Sequence, residues 1–177
     1  MDALSVTSRV CPRRTAPSRG VRPAVTDAVG PPGRPAELVS FHHVALSVRN
    51  RDESAAWYAE VLGFTEFFRE ESPHRKTCVM AFPGGGYSVG IVEHVDGGRE
   101  HFDPRARGLD HLAFTVASRD ELDGWAKHLT AAGVEHSDPI EIAPGAILNF
   151  KDPDGISLAL FWDRRGADGR SVGETKA

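Results

Sequence analysis

Two histidines stand out as residues that could do chemistry, because they recur at one spacing in matching surroundings. A shift of the chain by 68 residues places His43 on His111 (111 − 43 = 68). An imidazole changes its charge near neutral pH and can act as a general base, and its neutral form is a common metal ligand. The pair therefore predicts a site for proton transfer or for metal binding.

The surroundings of the two histidines form an internal repeat. Seven positions match at this shift within the 15-residue window from His43 to Trp57, which includes the run Arg51-Asp52-Glu53 on Arg119-Asp120-Glu121. A shift of 69 then aligns residues 86–91 with 155–160. Self-similarity of this kind indicates a duplicated structural unit.

Each unit has the pattern of one strand, one helix and three further strands. The first unit predicts strands at 41–48, 64–70, 76–82 and 87–94, with a helix capped by Asp52 or Ser54 and ended by Gly63. The second unit predicts strands at 110–116, 134–137, 145–151 and 156–162, with a helix over 119–132. The sequence therefore predicts an α+β fold with two tandem βαβββ modules, 41–95 and 109–162, whose paired curved mixed sheets surround a cavity. Both modules lie in one domain, 37–163.

Composition separates this domain from its flanks. Residues 1–36 contain six Arg, two acids and six of the twelve Pro, and they predict a disordered N-terminal tail with a net charge of +4 (6 − 2). The stretch also resembles an organelle transit peptide, although its prolines disfavour an amphipathic helix. Residues 164–177 predict a second tail. The whole chain carries −4, so residues 37–177 carry −8 (−4 − 4), which argues against nucleic acid as a partner.

Two further features indicate a cytoplasmic protein. Cys78 is the single cysteine of the predicted domain, so a disulfide framework is excluded and a reducing compartment is favoured. No run approaches 18 apolar residues, which argues against a membrane span. The sequence thus predicts a cytoplasmic protein that works on small molecules.

Short motifs in both modules resemble the vicinal oxygen chelate superfamily, the glyoxalase, bleomycin-resistance and dioxygenase-like proteins. The resemblance covers roughly residues 41–162. The motifs that carry it are His43-Val44-Ala45-Leu46-Ser47-Val48, Leu62-Gly63-Phe64, Leu109-Asp110-His111-Leu112-Ala113-Phe114 and Lys151-Asp152-Pro153-Asp154-Gly155. The resemblance implies a divalent metal, Fe, Mn, Zn or Ni, held by the two histidines and by a carboxylate on the last strand of each module.

The two carboxylate positions of this resemblance are occupied by Gly90 and Ala159, neither of which has a donor atom. Two imidazoles alone hold a divalent ion weakly, so the cofactor is a weakly bound metal or none. Strand alternation places Glu93 and Asp110 on the opposite face, whereas Glu141 precedes a turn and could swing inward. The sequence predicts an inherited fold with a degenerate metal site.

Strand alternation also predicts which residues line the cavity. The predicted catalytic or metal-binding residues are His43 and His111. The predicted substrate-binding residues are small or mildly polar: Ser47, Ser88, Gly90, Thr115, Asn149, Ser157, Ala159 and Phe161. Such a lining leaves room for a sizeable small molecule.

Three functions fit these features. The first is a glyoxalase-like enzyme of the lyase, isomerase or dioxygenase kind, or its descendant, in which a metal or a histidine acts on vicinal oxygens. The second is a bleomycin-resistance-type protein that sequesters a small molecule without chemistry, and the third is a structural remnant that serves as a partner module. The resemblance implies a homodimer, but the sequence alone leaves open whether one chain or two enclose the cavity.

Overall fold

The computed structural model describes residues 41–98 and 101–166, in which each module opens on one of the two histidines. The predicted tail 1–36 and residues 167–177 of the second predicted tail lie outside the described residues. The first module comprises β1 (His43–Val48), α1 (Arg51–Leu62), β2 (Thr65–Glu71), β3 (Arg75–Ala81) and β4 (Ser88–His94). The second comprises β5 (Leu112–Val116), α2 (Arg119–Ala131), β6 (Ile140–Ile142), β7 (Gly145–Lys151) and β8 (Ser157–Asp163).

Both modules have the same sheet topology. The strand orders are β1-β4-β3-β2 and β5-β8-β7-β6, and in each sheet the first strand runs parallel to the last one while the other pairs are antiparallel. The equivalent positions Ala45 and Ala113 lie opposite Gly90 and Ala159 in these parallel pairs. The predicted α+β fold with two βαβββ modules is confirmed.

One predicted strand was wrong. Residues 134–137 form only an isolated bridge between His136 and Phe150, and the strand is instead Ile140–Ile142. The reason is the two-residue turn that follows, because such a short connection places Ile140 opposite Ile147 and fixes the register with β7. Periodicity placed the strand directly after α2 and missed this turn.

The N-cap of helix α1 lies two residues before Asp52 and four residues before Ser54, the two predicted caps. Asn50 is the N-cap, and its side chain accepts hydrogen bonds from the backbone N–H groups of Asp52 and Glu53. The predicted caps Asp52 and Ser54 were therefore wrong. Gly63 ends the helix in the left-handed conformation at φ 73°, as predicted. Within the described ranges, neither helix is long and apolar enough to span a membrane.

The turn between β7 and β8 joins the second module to α1 of the first. Asp154 is buried and accepts hydrogen bonds from the Arg49 backbone N–H at 2.9 Å, the Arg49 guanidinium at 2.8 Å and the Ser54 hydroxyl at 3.1 Å. Asp152 is also buried and accepts from the Tyr58 hydroxyl at 3.3 Å. These two carboxylates therefore fasten one module to the other, and we call the pair the carboxylate clamp.

Asp152 makes the stability of this clamp depend on pH. Burial raises the pKa of Asp152 from 3.8 to about 6. Because the folded-state pKa lies above the ordinary value, the stabilisation is complete below pH 3.8 and is lost as the pH rises through about 6.

We therefore expect the unfolding free energy of the wild type to fall between pH 5 and pH 7.5 by about 1 kcal/mol more than that of Asp152→Asn. The amide oxygen of this variant can still accept the backbone N–H groups that Asp154 and Ile156 donate to Asp152. Urea unfolding at both pH values measures the difference. Asp138→Asn, at an exposed loop position, is the control and should keep the wild-type pH dependence. If the unfolding free energies of the wild type and of Asp152→Asn change equally with pH, the raised pKa of the buried Asp152 carboxyl is contradicted.

A row of aromatic rings, the aromatic seam, forms a second junction between the modules. It consists of Phe41, Phe64, Phe82, Tyr87 and Phe114. Neighbouring ring centroids in the row lie 5.6–6.2 Å apart, and Phe114 of the second module contacts both Phe64 and Phe82 of the first. Aromatic pairs at such separations stabilise a junction beyond the apolar area they bury.

The sheet faces that point away from the helices, here called the inner faces, are open in a single chain. On β1, His43, Ala45 and Ser47 are exposed while the alternating Leu46 and Val48 are buried. The second module shows the same alternation. Its exposed inner positions include Ala113, Thr115 and Asn149. The helix sides of the sheets therefore form the core, and the exposed predicted site residues, among them His43, Ser47 and Thr115, lie on the opposite surfaces.

Candidate functional site

His111 is paired with the residue that precedes it. Its Nδ1 lies 2.6 Å from Asp110 Oδ1, and the two side chains are 50% and 79% exposed. Asp110 was predicted to face away from His111, and this was wrong. Strand β5 begins only at Leu112, so strand alternation does not govern the two residues before it.

This pairing determines how His111 presents its other nitrogen. An ionised carboxylate only accepts hydrogen bonds, so His111 donates its Nδ1–H to Asp110 and Nε2 keeps a free lone pair. A carboxylate in this position fixes the tautomer and the orientation of the ring. His111 is therefore prepared to accept a proton or to coordinate a metal through Nε2.

His43 is also paired with the residue before it, but with a different chemical result. The Nδ1 atoms of His42 and His43 lie 2.8 Å apart, with the rings edge to face. Such a hydrogen bond needs one protonated and one unprotonated nitrogen, so either ring can be the donor. The duplication thus preserves both histidines, while the tautomer is fixed by a carboxylate only at His111.

Three of the predicted site residues meet in one cavity of about 850 Å³, here called the His111 cavity. It is lined by His111, Asn149 and Ser157, and its apolar wall includes Trp57 and Phe150. Asn149 and Ser157 are neighbours across β7 and β8, since Asn149 pairs with Ala159 and Lys151 pairs with Ser157. The size and the mixture of apolar walls with a few polar groups are typical of small-molecule sites.

The other predicted site residues lie elsewhere. Ser88 and Thr115 line a second cavity of about 460 Å³ beside the aromatic seam, and Ser47 lines a third of about 660 Å³. The remaining predicted residues line none of these three cavities. They are His43, Gly90, Ala159 and Phe161. Gly90 and Ala159 are buried at the centres of their sheets, and His43 is exposed at the start of β1.

The donor set does not fit a divalent metal. Gly90 and Ala159 supply no donor atom, and within residues 41–98 and 101–166 no group of three or more His, Cys, Asp or Glu side chains could hold an ion. Glu93 accepts hydrogen bonds from Lys76 and from the Arg51 backbone, which together lower its pKa. The candidate substitute Glu141 is held by two guanidinium groups, those of Arg119 and Arg164. No chemical step is therefore assigned to a metal.

Asp110→Ala is expected to change which ring nitrogen of His111 carries the proton. Without the carboxylate acceptor, the neutral imidazole gains the Nε2–H form, which is the usual result when no partner holds Nδ1. Two-dimensional ¹H–¹⁵N NMR of the imidazole nitrogens measures the tautomer, and Asp138→Ala is the control. Any reaction that uses Nε2 should slow by about 10- to 100-fold. An unchanged ¹⁵N pattern in Asp110→Ala would show that the 2.6 Å contact does not hold the ring.

Sequence reasoning missed Asp110 and Trp57 as parts of this site. Trp57 sits on α1 at a helical spacing typical of core residues, and it does pack on the core beside Phe150, but part of its ring lines the His111 cavity. The Asp-His dipeptide at 110–111 was a usable signal, because adjacent carboxylate and imidazole groups can pair where the chain is not extended.

Comparisons with known proteins agree with this architecture. A family model of the Glyoxalase/Bleomycin resistance protein/Dioxygenase superfamily matches residues 40–160. The uncharacterized protein YwkD of Bacillus subtilis (strain 168) is 34% identical over 130 residues, covering 70% of this chain and 97% of YwkD. Glutathione transferase FosA of Serratia marcescens is 29% identical over 123 residues, covering 70% of this chain and 80% of FosA.

A solved structure of a member of the same superfamily also matches this chain. The crystal structure of a glyoxylase/bleomycin resistance protein/dioxygenase domain from Frankia sp. EAN1pec matches with a TM-score of 0.68 and 37% sequence identity, and it covers 72% of this chain and 100% of that one. The resemblance predicted from the sequence motifs is thereby confirmed. With its two βαβββ modules and its matched residues 40–160, the chain belongs to the Glyoxalase/Bleomycin resistance protein/Dioxygenase superfamily.

Proposed function

We propose that this protein is an enzyme of the isomerase or lyase kind, descended from metal-dependent relatives, in which His111 acts as a general base on a small substrate with neighbouring oxygen atoms. The observation that carries the proposal is the 2.6 Å contact between Asp110 and His111 beside a cavity of about 850 Å³. A base oriented by a carboxylate needs no metal ligand at position 90 or 159.

The chemistry follows from the atoms around the cavity. His111 Nε2 takes the proton from a carbon that lies between a carbonyl and a hydroxyl group. The C–H electron pair forms a carbon–carbon double bond, and the π pair of the carbonyl moves to its oxygen, which gives an enolate. The Asn149 amide and the Ser157 hydroxyl are donors on the same sheet face and can hydrogen-bond that oxygen. Trp57 supplies an apolar wall that limits water. Returning the proton to the same carbon completes an exchange. Returning it to the former carbonyl carbon completes an isomerisation, in which the hydroxyl proton passes to the former carbonyl oxygen and the hydroxyl oxygen becomes the new carbonyl.

Hydroxyacetone, which carries a carbonyl next to a hydroxymethyl group, tests this base directly. In D₂O with EDTA present, we expect the protein to speed deuterium exchange at the hydroxymethyl carbon, and we expect His111→Ala to lower this rate by about 100-fold or more. Proton NMR follows the loss of the signal. His128→Ala replaces a histidine that bonds the Val61 carbonyl instead, and it is the matched control. Exchange at the same rate with His111→Ala would contradict the proposed base.

We further propose that two copies of the chain pair to cover the inner faces. The supporting observation is that the outer strands of both sheets leave apolar side chains exposed, among them Phe68, Ile140 and Ile142. Exposed apolar surface of this kind marks interaction sites. Sedimentation analysis should then give twice the chain mass, and Phe68→Asp should give the single-chain mass. Val95→Asp, at an exposed apolar residue after β4, should leave the dimer intact.

Sequestration of a small molecule without chemistry is the second candidate function. It is favoured by one specific observation, the absence of a donor atom at both Gly90 and Ala159. A sequestering protein would show a ligand-induced thermal shift that a chelator does not change, together with no hydroxyacetone exchange above that of His111→Ala. The exchange measurement therefore separates the two functions.

We also propose a cytoplasmic location. Cys78 is fully buried, and burial raises the pKa of its thiol to about 11, which keeps it protonated and unreactive. Among the described residues it is the one free cysteine. A thiol-labelling reagent should therefore leave Cys78 unmodified in the folded protein and modify it after unfolding. Cell fractionation tests the location itself, and recovery of the chain outside the cytoplasmic fraction would contradict the proposal.

A further inference from the structure

The cavity beside the aromatic seam, here called the seam cavity, has a composition different from that of the His111 cavity. It encloses about 460 Å³ between the start of β1 and β4 on one side and β5 on the other. All five rings of the aromatic seam line it, and no lining residue is shared with the His111 cavity. It is therefore a separate space in the molecule.

The rings of the seam define the shape of an occupant. Phe41 and Tyr87 at the rim are more than half exposed, whereas Phe64 deeper in the cavity is buried. The rings meet at steep angles, except for the stacked pair of Phe82 and Phe114, so they present both faces and edges to the space. Aromatic faces and edges favour a flat aromatic partner over a saturated one of equal size.

Ser88 provides a polar anchor inside the seam cavity. It is 7% exposed and lines the cavity, and among the described residues no group hydrogen-bonds its hydroxyl. A hydroxyl group at a cavity wall can exchange a bond to water for a bond to a ligand at little cost. An oxygen or N–H group of a bound molecule would satisfy this hydroxyl.

The charge of an occupant is also limited. The lining of the seam cavity contains no charged side chain; besides Ser88, its hydroxyl-bearing residues are Tyr87 and Thr115. A bound molecule with a charged group would lose hydration without gaining an ion pair. The cavity is therefore suited to a neutral compound.

From these observations, we infer that the seam cavity is a binding site for a small, neutral, planar aromatic molecule with one hydrogen-bonding group, which pairs with the hydroxyl of Ser88. The site lies outside the His111 cavity, so it stands whether or not His111 acts as a base. Its occupant contacts both modules, because Ser88 belongs to the first and Thr115 to the second.

Calorimetric titration with 2-naphthol, a flat neutral alcohol, tests the site on the full chain. We expect saturable binding, with little or no binding of the saturated analogue decahydro-2-naphthol or of the charged 2-naphthoate. Ser88→Ala should weaken 2-naphthol binding by about tenfold, the scale of one lost hydrogen bond. Ala113→Leu, which fills the cavity from an exposed strand position, should weaken it further.

Two control variants test whether 2-naphthol binds in the seam cavity and not elsewhere on the protein. Phe67→Ala removes an exposed aromatic ring outside the seam cavity and should leave 2-naphthol binding unchanged. The double variant His43→Ala/His111→Ala should also bind as the wild type does, which separates this site from the proposed catalytic one. Circular dichroism verifies that each variant is folded. The inference is overturned if 2-naphthol does not saturate, if the saturated analogue binds equally well, or if Ser88→Ala and Ala113→Leu bind as the wild type does.

Discussion

Replacing Ala159 with Glu is expected to strengthen metal binding, because it adds a carboxylate at a position where the chain has no donor atom. Position 159 lies on β8 opposite Ala113, an exposed inner-face position of β5, so a carboxylate there would extend toward the same inner face. A carboxylate added to the imidazole of His111 gives two of the ligand types that catalytic metals use. We expect Mn²⁺ affinity to rise by roughly 10- to 100-fold, the scale on which single groups around a metal change its binding. Isothermal titration with Mn²⁺ measures it.

Position 159 is a better choice than position 90 for this experiment. A Cβ atom at Gly90 would lie 3.3 Å from the Cβ of Ala45, so a side chain there would press on β1. Ala159→Gln is the matched control, because it has the same size without the charge. Equal Mn²⁺ binding by Ala159→Glu and Ala159→Gln would show that the inner face of β8 does not face the histidine. His111→Ala in the Ala159→Glu background should abolish the gain.

Asp154→Ala is expected to destabilise the fold strongly. Its carboxylate is buried and accepts hydrogen bonds from the Ser54 hydroxyl and the Arg49 backbone N–H, which link the modules. Removing an acceptor leaves buried donors unpaired, so the loss in unfolding free energy should be about 3 kcal/mol. This figure leaves out the ion pair with the solvent-facing Arg49 guanidinium. Urea unfolding followed by circular dichroism measures the loss.

The control for the carboxylate clamp is another Asp paired with an Arg. Asp103 bonds Arg105, but both side chains are exposed, so Asp103→Ala should change the unfolding free energy by less than about 1 kcal/mol. Asp154→Asn keeps the shape and an acceptor oxygen and should recover part of the loss. Similar losses for Asp154→Ala and Asp103→Ala would mean that the turn between β7 and β8 does not fasten the modules.

The sequence predicted the duplicated architecture because the hydrophobic pattern and the repeat are local properties. The 68-residue spacing between His43 and His111 already predicted that β1 and β5 are equivalent strands. The errors occurred where a neighbouring contact decides the structure. Strand β6 depends on pairing with β7. The cap of α1 falls on Asn50, whose side chain accepts from two backbone N–H groups, while Ser54 donates to Asp154 of the other module.

The candidate site was less predictable than the fold, because a cavity depends on how modules and loops meet. Alternation correctly separated Asn149 from its buried neighbours Leu148 and Phe150. It could not show that Asn149 and Ser88 line different cavities, since that separation follows from the packing of the aromatic seam. Strand alternation also gave a wrong prediction at Asp110, because this residue lies before the first residue of β5.

The central claim is that the fold and both histidines were inherited while the metal site was lost. Metal analysis of the untagged protein, purified without chelator, tests this claim most directly. We expect metal well below one ion per chain, and the same low content in the double variant His43→Ala/His111→Ala. One tightly bound ion per chain that disappears in the double variant would contradict the account.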